Sequence, residues 1–233
     1  MNCEILKNGL LKYGYSIESE KTEKLEVFSS LLKEWNEKMN LTAVTDDDGI
    51  SIKHFLDSII PFLLIDAKNG SKVIDVGTGA GFPGVPIKII REDLSFTFLD
   101  SLNKRINFLK EVSNRLGFEN ADFVHMRAEE GGKNKAYREK YDIAVSRAVA
   151  PLKILSELSL PFVKKGGIFA AYKSYDINEE IDEAKSMIGN LGGRIREIKE
   201  IEIPFSDIKR KIVIIEKEKN TPMSFPRRSN KIK

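Results

Sequence analysis

Val73-Ile74-Asp75-Val76-Gly77-Thr78-Gly79-Ala80-Gly81-Phe82-Pro83-Gly84 carries the plan of this chain in twelve residues. The apolar run ending at Val76 reads as a buried strand, and it breaks at once into glycines at alternate positions. With no Cβ, Gly77 and Gly79 let the backbone turn tightly and approach a ligand closely. Pro83 or Pro86 suits the first turn of a following helix, whose first N–H groups have no intrahelical partner. A strand, a ligand-cradling loop and a helix are therefore expected. The spacing is Gly-x-Gly-x-Gly, whereas a dinucleotide loop runs Gly-x-Gly-x-x-Gly and would need glycine where Phe82 stands. A tight turn without a ligand is the competing reading, and it would need fewer glycines.

Outward from this loop, β-rich runs at residues 72–76, 95–99, 121–125, 141–145 and 167–172 alternate with helical stretches at 84–91, 103–116, 151–163 and 178–191. That alternation predicts βαβ units and a parallel sheet. Residues 195–203 and 211–216 are strand candidates too close together for an intervening helix, so they should pair as an antiparallel hairpin. Upstream, Leu25, Phe28, Leu31, Leu32, Trp35 and Met39 form one apolar stripe at helical spacing. Helices are also expected over residues 3–13 and from Ile50 onward. The expected divisions are a helical cap at 1–66, a ligand-binding core at 67–220 and a basic tail at 221–233.

Composition narrows the class. The 233 residues are 41% hydrophobic and 31% charged, the balance of a folded protein rather than a disordered one. The longest apolar run, 59–65, is far below the roughly 20 residues of a membrane span. Met1-Asn2-Cys3-Glu4 carries no secretory pattern, so the expectation is a cytoplasmic protein without membrane contact. With one cysteine and two histidines, neither an internal disulfide nor a Cys/His zinc cage is expected. Residues 217–233 carry a net charge of +5 and the remainder −2. A near-neutral body with a basic end suits a polyanionic partner. Thr221-Pro222 and Pro226 should leave that end mobile until the partner orders it.

Seven strands closed by an antiparallel hairpin, with an acid two residues before the first glycine, resemble the Rossmann-like fold of S-adenosylmethionine (SAM) dependent methyltransferases. Phe96-Thr97-Phe98-Leu99-Asp100 ends a strand nineteen residues beyond Gly81, where such folds place an acceptor for ribose hydroxyls. Alone, Asp100 could equally cap the next helix. Further segments are more specific. Lys53-His54-Phe55-Leu56-Asp57-Ser58, Asp100-Ser101-Leu102-Asn103-Lys104-Arg105, Val145-Ser146-Arg147-Ala148, Trp35-Asn36 with Asn40-Leu41-Thr42, and Phe225-Pro226-Arg227-Arg228 together resemble the bacterial small-subunit rRNA guanine-N7 methyltransferases, over nearly the whole chain. The resemblance implies SAM as methyl donor, no metal, and a guanine in the decoding-centre loop of 16S rRNA or of the small ribosomal subunit as substrate. It implies cofactor contacts at Gly77, Phe82, Ala128, Glu129 and Arg147. The loop and strand readings add Gly79 and Asp100.

The chemistry can be checked against residue types. Methylation at carbon-5 of a pyrimidine needs an attacking thiolate, and Cys3 is far in sequence from the loop. Exocyclic amine methylation commonly uses an Asn/Asp-Pro-Pro-aromatic loop, and Ser146-Arg147-Ala148-Val149 stands there instead. Guanine N7 already presents a lone pair and needs no general base, so no catalytic acid or base is expected. Arg147 and Lys173 are candidate substrate contacts, His54 and His125 structural residues. A monomer is expected. A small-molecule methyltransferase and an RNA-associated factor without activity are the alternatives.

Overall fold

The computed structural model describes residues 1–228, 230 and 232. Seven strands form one sheet: β1 (Lys72–Val76), β2 (Ser95–Asp100), β3 (Ala121–His125), β4 (Tyr141–Arg147), β5 (Val163–Ser174), β6 (Gly193–Glu202) and β7 (Lys209–Lys217). Their order is β3-β2-β1-β4-β5-β7-β6. Strands β1 to β5 pair in parallel, and β7 inserts antiparallel between β5 and β6. The six residues between β6 and β7 cannot hold a crossover, which forces the hairpin. Order reverses at β1 and β4, and that crevice is where open parallel sheets bind ligands.

Alternation along the strands sorts side chains into two cores. Val73, Ile143, Val145 and Ala170 face one side, while Ile74, Val76, Ala144, Phe169 and Ala171 face the other. The second side is covered by α8 (Leu152–Ser159) and α9 (Asn178–Asn190), through Leu152, Leu155, Ile181 and Ala184. The first side packs on α5 (Gly84–Ile90) and α6 (Asn103–Leu116) and continues without a break into the N-terminal helices. Those are α1 (Cys3–Leu11), α2 (Ser19–Met39), a single turn α3 (Asp47–Gly49), a π-helical segment Ile50–Leu56 and α4 (Asp57–Leu63). Phe28 of α2 stacks on Phe55 at 5.9 Å and on Phe108 of α6 at 6.4 Å, with Phe82 at 5.4 Å. Trp35, partly buried, packs at 5.5 Å on Phe108 against the edge of this core.

Two details were not readable as periodicity. The segment from Ile50 is π-helical before it becomes α-helical, and Pro61 within α4 offers no N–H to the carbonyl one turn back. A one-turn helix, α7 (Ala128–Gly131), follows β3; four residues are too few to show a repeat.

Residues 221–227 correct the expectation of a tail that is free from Thr221 onward. Thr221 is buried, and its N–H donates to Glu139 Oε1 at 2.7 Å. Arg138 donates to the carbonyls of Thr221 at 2.6 Å, Phe225 at 2.9 Å and Pro222 at 3.2 Å, and also to Gly132 at 2.6 Å. Arg227 grips the fully buried carboxylate of Glu157 with its backbone N–H at 2.7 Å and its guanidinium at 2.6 Å. A buried carboxylate must be paired, so Arg227 is spent on the fold. Arg228, also expected in a mobile end, is exposed, and Lys231 and Lys233 lie outside the described residues.

Candidate functional site

A cleft of about 520 Å³ opens beyond the carboxyl ends of β1, β2 and β4. Its floor is the glycine loop. Gly77, Gly79 and Gly81 all hold left-handed backbone, with φ of +72°, +60° and +93°. Their surroundings differ. A Cβ on Gly81 would strike Val85 at 2.6 Å and Leu109 at 2.9 Å, so this glycine serves packing. A Cβ on Gly79 would meet nothing nearer than 4.0 Å, so its face is open to the cleft. One on Gly77 would meet Val149 at 2.7 Å, a side chain that also lines the cleft.

Two carboxylates hold the loop. Asp75, fully buried beneath it, accepts from Thr78 Oγ1 at 2.7 Å and from the Gly84 N–H at 2.9 Å. Burial pushes its carboxyl up to about 7, with the two hydrogen bonds opposing. Asp75 does not line the cleft. Asp100 does: Oδ2 accepts from the Gly79 N–H at 2.9 Å and from Arg105 at 3.3 Å, and Oδ1 from the Leu102 N–H at 2.8 Å. Asp100 therefore faces the cleft and also steadies the turn into α6, although it does not cap that helix, whose N-cap is Leu102 without a side-chain bond. Across from it lie Ala128 and Glu129 of α7. Arg138 fastens the Gly132 carbonyl just beyond α7 to the carbonyls of the C-terminal segment.

The opposite wall comes from the N-terminal helices. His54 stacks on Phe82 with centroids 4.4 Å apart and planes at 17°, and its Nε2 lies 2.7 Å from Thr42 Oγ1. Burial, and then the charge of Arg147, lower the His54 imidazole to about 4, so it is neutral at neutral pH. The Arg147 guanidinium lies 5.2 Å from the Phe82 centroid, a cation–π contact. It also donates to Asp57 Oδ2 at 3.1 Å. Arg210 of β7 takes the same carboxylate with two bonds, at 2.8 and 3.2 Å. Ala148, next in the chain, adopts a left-handed φ of +56°, uncommon without glycine.

Gly77, Gly79, Phe82, Asp100, Ala128, Glu129 and Arg147 thus all border one cleft. Lys173 does not; it borders a neighbouring cavity. Its ammonium is ion-paired with Glu180 and donates to the Ala150 carbonyl at 3.1 Å. Glu180 also accepts from the Leu152 N–H, so this pair pins the β4–α8 connection. His125 is exposed on β3 and contacts the Ser101 carbonyl at 3.0 Å. Sequence reasoning quoted Asp57 within a motif without a role, and missed Arg210 altogether. The two lie 153 positions apart, and no spacing signals such a pair.

The donor set suits an adenosine-bearing ligand. A carboxylate at a strand end, open glycine backbone beside it and a cleft of this volume match what such a ligand needs. Among the described residues no group of His, Cys, Asp and Glu side chains is arranged to hold a metal ion, and no helix is long and apolar enough to cross a membrane.

A family model described as rRNA small subunit methyltransferase G matches residues 21–213. The chain is 48% identical over 229 residues to Ribosomal RNA small subunit methyltransferase G of Clostridium perfringens, covering 98% of this chain and 96% of that protein. It is 50% identical over 224 residues to the protein of the same name from Alkaliphilus metalliredigens, covering 96% and 94%. Among solved structures, TrmN from Thermus thermophilus superposes with a TM-score of 0.53 at 17% identity, covering 72% of this chain and 53% of that one. The Methanococcus jannaschii fibrillarin pre-rRNA processing protein gives 0.52 at 20%, covering 67% and 70%. At these identities the structures speak for the fold alone.

Proposed function

The chain belongs to the rRNA small subunit methyltransferase G family, and from that premise we propose that it transfers a methyl group from SAM to N7 of a guanine in the decoding-centre loop of 16S rRNA. The observation that carries this reading is the full-length similarity together with a cleft in which the family-matched residues converge. SAM, when bound, supplies an electrophilic methyl group on a sulfonium.

The chain's own residues bind and align. Asp100 offers carboxylate oxygens to ribose hydroxyls, in a geometry already fixed by the Gly79 and Leu102 N–H groups. Ala128 and Glu129 border the adenine end, and the glycine loop gives close backbone approach at the methionine end. Phe82, held between the His54 stack and Arg147, shapes the wall next to the reacting centre. N7 needs no deprotonation, so the work left is to hold the reacting atoms in line at about 3 Å. The neutral His54 imidazole suits a wall and not a proton donor. Arg147 orients the cofactor or a nearby anion.

Division into a cap (1–66), a SAM-binding core (67–220) and a basic end (221–233), with action as a cytoplasmic monomer, completes the reading. It is tested by incubating the chain with radiolabelled SAM and 16S rRNA and digesting to nucleosides. Label in 7-methylguanosine is expected. Label in another nucleoside, or only in a small molecule, would replace the target.

A further inference from the structure

A cavity of about 390 Å³ adjoins the cleft and shares His54, Arg147 and Ala148 with it. Lys53, Arg147, Lys173 and Arg210 bring four positive groups to its lining, against the single carboxylate of Asp57. Lys173 is neutralised by Glu180. His54, lowered to about 4, adds no charge at neutral pH. Asp57 is 2% exposed and takes bonds from two guanidiniums at once, at 3.1 Å from Arg147 and at 2.8 and 3.2 Å from Arg210. One carboxylate cannot neutralise both. Lys53 is exposed on the π-helical segment and has no ion pair among the described residues.

Two features make this more than a surface ion pair. A guanidinium has five N–H donors, and Asp57 uses only Nε and Nη2 of Arg210. Its Nη1 has no protein partner among the described residues. The two arginines are also fixed: Asp57 presents them from α4, while they arrive from the ends of β4 and β7. Preorganised guanidiniums with free donors and an unbalanced positive charge, facing an open cavity, match the planar and bidentate demands of a phosphate group.

We propose that Arg210, with Arg147 and Lys53, forms an anion subsite for a backbone phosphodiester of the RNA next to the target nucleotide, with Asp57 as the positioning residue. This rests on the rRNA reading above. It assigns the phosphate contact to Arg210 instead of Lys173, whose ammonium is already spent. The cavity continues into the cleft, so a phosphate held there leaves its own base within reach of the reacting centre.

The test compares the wild-type chain with Arg210→Gln and Lys53→Gln. Binding of 16S rRNA is measured across a salt series, and SAM binding by calorimetry. Each contacted phosphate contributes about 0.7–0.9 to the slope of log affinity against log salt. Each variant should flatten that slope by about this amount, and Arg210→Gln should weaken RNA binding about tenfold. SAM affinity should stay within about twofold. The Lys53 side chain has no hydrogen bond to lose, and its carbonyl, which accepts from Arg147 at 3.5 Å, is kept in the variant, so Lys53→Gln keeps the test valid should Arg210→Gln fail to fold. An unchanged slope in the folded variants overturns the subsite. Loss of SAM affinity with unchanged RNA binding also overturns it, and gives the arginines to the methionine carboxylate. If the wild-type chain itself transfers no methyl group to rRNA, the rRNA reading fails first and takes this proposal with it.

Discussion

The two ends of the cleft are built in different ways. At the glycine-loop end, the carboxylate contacts that hold the loop are local: Asp75, Thr78, Gly79, Gly84, Asp100 and Arg105 lie within 31 positions of one another. At the other end, Asp57, Arg147 and Arg210 come from a helix and two strands far apart in sequence. The local end is a backbone device, held by N–H groups that almost any sequence offers once glycine permits the turn. The distant end is a charge network that exists only after the sheet has closed on the N-terminal helices. The first should be sensitive to added atoms, the second to removed charges.

The largest expected effect is at the distant end. Asp57→Ala leaves two guanidiniums together, that of Arg147 13% exposed, with no counter-charge between them. Breaking a buried pair by removing one partner costs about 3–5 kcal/mol, measurable by urea denaturation. A loss below about 1 kcal/mol would mean that water already screens the pair, and the contrast between the ends would collapse.

At the local end, Gly81→Ala should cost about 2–3 kcal/mol, by overpacking against Val85 and Leu109 on left-handed backbone. Gly79→Ala meets no neighbour. It should cost only about 1 kcal/mol of stability, yet weaken SAM binding at least tenfold. Equal stability loss in the two variants would show that Gly79 also serves packing.

Asp100→Asn should weaken SAM and its demethylated product together, by about tenfold or 1.4 kcal/mol, because both carry the same ribose. Calorimetry of both ligands decides. Loss for SAM alone would move Asp100 to the sulfonium.

The smallest effect is in pH. His54 drops from an ordinary 6.5 to about 4 in the folded chain, so the unfolded chain binds the extra proton first. The His54 contribution to stability should therefore be intact above pH 6.5 and fall as pH drops from 6.5 towards 4. Asp75 has the opposite sign of shift, upward from 3.8 to about 7. Its ionisation should lower stability as pH rises from 3.8 towards 7. The two contributions oppose each other over nearly the same range, so the wild-type chain should change little there, while His54→Gln should expose the fall with rising pH and Asp75→Asn the fall with falling pH, in thermal melts taken across this range. A variant whose pH profile matches that of the wild-type chain would show that its group titrates normally in the folded state.

Much of the architecture was legible because it follows from short-range regularities. The alternation of strand and helix, the hairpin forced by a six-residue connection, and the glycine spacing are properties of neighbouring residues. β1, β3 and α6 fall on the expected residues. Gly77, Gly79 and Asp100 could be nominated because a strand end and its loop carry their ligand groups with them. Phe82, Ala128, Glu129 and Arg147 were nominated by resemblance, since nothing in their own spacing singles them out.

What only the tertiary structure decided are the pairings between distant charges. Arg227 looked like a free tail cation; it is the partner of Glu157, 70 positions earlier, which helix packing had buried. Lys173 looked like a free strand-end cation; Glu180 of α9 neutralises it. Asp57 gave no sign that it would sit between Arg147 and Arg210. The reason is physical. Periodicity reports which face of an element meets the core, because burial repeats with the backbone geometry. A salt bridge depends on two side-chain tips meeting after every element has packed, and that meeting leaves no repeat in the sequence.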